Sequence, residues 1–119
     1  MSELFDTIND HAPDRRIAIF VAATENLHPR PIGLHDVIAE RGSEVVTPLL
    51  GALSESSNAE TQVDIIDVFL SMQRNGYYDL ARESAVIVRL ERHVDNMPSG
   101  TMKRVAENKV QQIVRLTAQ

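Results

Sequence analysis

The segment "AETQVDIIDVFLSMQR", residues 59–74, constrains this chain more than any other. Read as a helix, it places Asp64, Asp67, Ser71 and Arg74 on one narrow polar ridge. Val63, Ile65, Ile66, Val68, Phe69, Leu70 and Met72 cover most of the remaining circumference. A helix at the surface of a globular protein needs only one apolar stripe, whereas one that is apolar on all sides but a ridge must be covered from several directions. The sequence therefore predicts a central helix here, with other helices packed before and after it.

Periodicity elsewhere is helical, and no segment alternates like a strand. Before the central segment, Val46, Leu49, Leu50 and Leu53 share a stripe, with Ser43 the expected cap and Glu44 in the first turn. Pro48 sits inside that pattern, where it removes about one backbone hydrogen bond and bends the helix. The polar "SESSNAE" then reads as a turn, from which Ser57 or Asn58 caps the central helix, and Gly76 ends it. Upstream, Pro13 suits a first helical position, and Ile17, Phe20, Val21 and Thr24 lie on one side. The prolines of "ENLHPRP" stop this helix. A shorter one follows over about residues 31–41, with Leu34, Val37 and Ile38 on one face and Gly42 at its end. Downstream, Leu80, Ile87, Leu90 and Val94 define a helix over about 79–96, which "NMPSG" breaks. Ser99 or Thr101 is expected to cap a last helix, with Met102, Val105, Ala106, Ile113 and Leu116 inward and Arg104, Asn108, Gln111 and Arg115 opposite. A short N-terminal helix over 1–10, capped by Ser2, carries Leu4, Phe5 and Ile8.

The expected architecture is thus one all-α domain over residues 1–119, with helical hairpins at 13–41, 43–75 and 77–117 after the short first helix. The stretch "SEVVTPLLGALSESSNAETQVDIIDVF" resembles a HEAT-type repeat: a first helix with a proline before a Leu-Leu pair, a short polar turn, and an aliphatic second helix. The resemblance covers residues 43–75 best. It implies a HEAT-like or armadillo-like right-handed array of three stacked antiparallel hairpins; the same stripes would equally close into a helical bundle. It also implies a non-enzymatic scaffold that holds a protein partner against its second helices. On this sequence that side carries Asp64, Asp67, Ser71 and Arg74, then Arg104, Asn108, Gln111 and Arg115. Read without the resemblance, these are the polar faces that every soluble helix has. Tyr77 and Tyr78 join the candidates. Adjacent residues cannot both point inward, so one packs while the other lies near the surface beside Arg74, and Tyr and Arg are enriched in interface hot spots.

Composition narrows the function classes. With no cysteine, disulfides, thiolate nucleophiles and cysteine zinc sites are excluded. Aromatics are 4% of the chain, so the core is aliphatic. The longest apolar run, Ile17 to Ala23, is far short of the roughly 20 residues of a membrane span. The acidic start "MSELFDTIND" lacks the basic region of a signal peptide, and the expectation is a soluble cytoplasmic protein with no membrane partner. The net charge of −5 is uneven: four basic against ten acidic residues in 1–60, eight against seven in 61–119. A basic or bipolar protein partner fits better than nucleic acid. Such a compact acidic chain would also suit an immunity or antitoxin-type protein that neutralises a basic toxin or effector. Its acidic front and basic back would also let copies stack head to tail.

Chemistry-bearing constellations are sparse, and no cofactor is expected. Asp64 and Asp67, one turn apart, are the only carboxylate pair suggesting acid–base work or a cation site, and no histidine is near them in sequence. His11, His28, His35 and His93 show no ligand spacing and read as solvent-exposed, with His35 and Asp36 on different sides of their helix. Glu83 falls on the apolar stripe of its helix. It is expected to reach solvent; if buried it needs Lys103 or Lys109 as a partner.

Overall fold

The computed structural model describes residues 8–26 and 33–118. Six α-helices follow one another: α1 Pro13–Asn26, α2 Leu34–Ala39, α3 Ser43–Glu55, α4 Ala59–Asn75, α5 Ser84–Asp95 and α6 Thr101–Thr117. Short 3₁₀ turns precede α1 at Ile8–Asp10 and α5 at Leu80–Arg82. No strand occurs among the described residues, and no helix there is long and apolar enough to cross a membrane. The expected N-terminal helix from Ser2, the start of a helix at Pro31, and His28 lie outside the described residues, apart from the turn at Ile8–Asp10.

The central helix is where its greasiness demands. Ile65, Ile66, Val68, Phe69 and Met72 of α4 are all fully covered. The helix packs most extensively on α6, then on α2, and also meets α3 and α1. α1 lies against α3, and α5 against α6. Asn58 caps α4, its side chain accepting from the N–H groups of Glu60 at 2.9 Å and Thr61 at 3.2 Å. Gly76, at φ 74°, closes the helix with its N–H on the Met72 carbonyl. The expected stripe of α3 is buried through Val46, Leu49, Leu50 and Leu53, and Pro48 sits half-buried within that helix.

Two caps differ from expectation. Gly42, not Ser43, caps α3, and Gly100 stands where Ser99 or Thr101 was expected. At Gly42 the reason is tertiary. Its φ is +54°, and a Cβ there would lie 2.7 Å from the Tyr77 carbonyl oxygen. The turn between α2 and α3 presses so closely on the turn after α4 that only glycine fits, which moves Ser43 into the first helical position.

The helix expected over 79–96 is also interrupted. Leu80 is fully buried and donates its N–H to Gln73 Oε1 at 2.7 Å, while the Asp79 side chain accepts from the Ala81 N–H at 3.0 Å. These bonds hold a 3₁₀ turn, and the α-helix begins only at Ser84. Glu83 therefore lies at the junction, exposed, rather than on an apolar helical stripe. It needs neither lysine: Lys103 donates to the Asp95 carbonyl and Lys109 to Asp67.

Candidate functional site

The polar ridge of α4 is turned inward on both flanks. Ser71 is buried and its hydroxyl donates to Asp36 Oδ1 of α2. Asn75 Nδ2 donates back to the Ser71 hydroxyl at 3.1 Å. On the other flank, Lys109 of α6 lies 2.7 Å from Asp67 Oδ1, with the two side chains 22% and 25% exposed. Two turns further along α4, Arg74 donates to Gln112 Oε1 of α6 at 3.1 Å. Asp64 is half-buried, with Oδ2 fully covered. Three of the residues that sequence alone marks as a face, Asp67, Ser71 and Arg74, thus tie α2 to α4 and α4 to α6. The Asp67–Lys109 pair is partly desolvated and short, worth about 1 kcal/mol, above most fully exposed pairs.

The second group behaves differently. Arg104, Asn108, Gln111 and Arg115 are all exposed, on the side of α6 opposite the buried Ala106, Val110 and Ile113. None of the four makes a side-chain hydrogen bond or ion pair among the described residues. They form the next strip round α6 from Lys109 and Gln112, so the α4 ridge and this row meet along one helix. Tyr77 is 42% exposed, whereas Tyr78 packs on the core, dividing the pair as adjacency requires. Burial, together with a hydrogen bond to Glu83 and that group's charge, holds the Tyr78 phenol above its ordinary pKa.

Three features escaped the sequence reading. Arg16 is buried in α1; it donates to the His11 carbonyl at 2.8 Å and lies 3.7 Å from Glu44 at the start of α3. Its spacing to Phe20 and Ala23, four and seven residues on, was the available signal. His93 is half-buried rather than exposed, with Nε2 3.1 Å from Gln62 Oε1. Gln62 Nε2 donates to the Ser56 carbonyl at 2.7 Å, so its oxygen faces the histidine and His93 Nε2 must be the donor. Burial pushes the His93 pKa below its ordinary value. His11 and His35 are likewise only partly exposed. His35 Nε2 reaches within 3.4 Å of Asp36 Oδ1, so these neighbours do meet, across the first turn of a short helix. No group of three or more metal-ligating side chains converges among the described residues.

Comparison with known protein families, with curated proteins and with solved structures found no significant match to the chain.

Proposed function

We propose that this chain is a non-enzymatic protein-interaction module built as three stacked HEAT-like hairpins, which docks a protein partner on the side formed by α4 and α6. Two features support the architecture. The second helices pack in the order α2, α4, α6 while α1 lies on α3, the neighbour pattern of a two-layer array. The shortest principal extent is 20 Å, the depth of two helix layers at about 10 Å each.

The observation that carries the docking is the row Arg104, Asn108, Gln111 and Arg115, exposed and unengaged along three turns of α6. Arg74 and Tyr77 extend it across the end of α4. In this reading Asp67, Ser71 and Asp36 are the frame that fixes the spacing of the helices, and the arginines and amides make the contact. Two arginines flanking two amides suit an acidic or bipolar partner segment, since guanidinium forks bind carboxylates bidentately.

Charge reversal tests the face. An Arg104→Glu/Arg115→Glu variant, immobilised beside the parent protein, loses lysate proteins that the parent retains, while its circular dichroism is unchanged because neither side chain supports the core. Retention of the same proteins at the same yield rejects the α6 face.

A further inference from the structure

A second surface lies between α1 and α3. The two helices run side by side in the same direction: Arg16 meets Glu44 near their starts, and Glu25 near the end of α1 accepts from Thr61, just beyond the end of α3. Between them opens a groove of about 730 Å³. Its middle is built from small side chains, including Ala18 and Ala22 of α1 and Gly51 of α3. Its ends are acidic, with Asp14 at one and Glu25 and Glu55 at the other, and no lysine or arginine is among the described residues that line it.

The spacing and charge define what fits. Asp14 and Glu25 are eleven residues apart on one helix, about 16 Å, or three helical turns. The Glu25 and Glu55 end is also where α1 and α3 both finish, so two helix C-termini add partial negative charge there. A Cβ placed at Gly51 would meet nothing within 4 Å, so a partner backbone can approach the floor closely.

We infer that this groove binds an amphipathic helix of a partner protein. The small-residue face of that helix lies on Ala18, Ala22 and Gly51. Its lysines or arginines, set about eleven residues apart, pair with Asp14 at one end and with Glu25 and Glu55 at the other. This site is separate from the α6 face and does not depend on it.

The probe is a fluorescein-labelled synthetic helical peptide with alanine and leucine along one face and lysines about eleven residues apart. A twin carries glutamates in place of those lysines. Fluorescence anisotropy should show saturable binding of the lysine peptide that weakens with added salt, and at least about tenfold weaker binding of the twin. Gly51→Leu fills the groove from a helical position with open space, so it folds, and it should lose binding about tenfold. Glu55→Gln should weaken binding several-fold. Arg104→Glu/Arg115→Glu should leave it unchanged, which separates this site from the α6 face. Four outcomes overturn the inference: no saturable binding of the lysine peptide, equal binding of the twin, undiminished binding by Gly51→Leu, or loss of binding in the α6 variant. So does a dimer seen by sedimentation that Gly51→Leu abolishes, since the occupant would then be a second copy.

Discussion

Two alanine substitutions of glycine should move stability in opposite directions, and the structure gives both signs. Gly42 has φ +54°, a conformation that costs an L-residue about 1–3 kcal/mol. The added Cβ would also lie 2.7 Å from the Tyr77 carbonyl oxygen, a backbone atom that moves only if the turn after α4 moves. Against these costs stands the reduced freedom of the unfolded chain, about 0.4–1 kcal/mol in favour of alanine. The net for Gly42→Ala is a loss of about 2–3 kcal/mol. Gly51 is helical, and a Cβ there has open space. Gly51→Ala therefore stabilises by about 0.5–1 kcal/mol through helix propensity. For a domain of this size the melting temperature should fall by about 10 °C in the first variant and rise by about 3 °C in the second. Urea titrations followed by far-UV circular dichroism, with both variants and the parent at one pH, read the difference. A Gly42→Ala midpoint equal to the parent's would refute the close approach of the two turns. A destabilised Gly51→Ala would show that its surroundings are not open.

Other substitutions test the packing and the polar ties. Met72→Ala removes a fully covered side chain from α4 and should cost about 2–5 kcal/mol in the same titration, against almost nothing for Val88→Ala, which is 43% exposed. A double-mutant cycle with Asp67→Asn and Lys109→Met should give a coupling of about 1 kcal/mol that shrinks in high salt; zero coupling at low salt would mean that the 2.7 Å pair contributes no stability. His93 supplies a pH dependence. Its folded pKa is depressed by burial, so near the ordinary histidine value the unfolded chain binds the extra proton. Its contribution is therefore complete above about pH 6.5 and lost as pH falls through that value toward the folded pKa. Urea midpoints should drop between about pH 7.5 and 5.5, and His93→Gln should flatten that part of the profile.

The sequence disclosed α4 because a helix with one polar ridge has few ways to be covered, and Ile65, Val68 and Met72 are all fully covered. Asn58 and Gly76 were legible for a similar reason, since capping chemistry is local. Three of the misses share one cause. Gly42 caps α3 because of Tyr77, thirty-five residues away; the helix before Ser84 breaks because Gln73 holds Leu80; and His93 is half-buried beside Gln62. Each depends on which elements meet in space, which periodicity along one helix does not encode. The ridge residues show the limit most plainly. Asp67, Ser71 and Arg74 form the polar strip that the wheel predicts, yet Lys109, Asp36 and Gln112 meet them from two other helices.

Because α4 touches every other helix described, no pair of helices owns a complete interior. Stripping away α6 would leave Asp67 without its lysine, and stripping away α2 would leave Ser71 without its acceptor. Longer helical arrays melt by fraying from their ends, one unit at a time. Here the shared strut ties the described helices to one all-or-none transition, so a lesion in α1 is felt in α6.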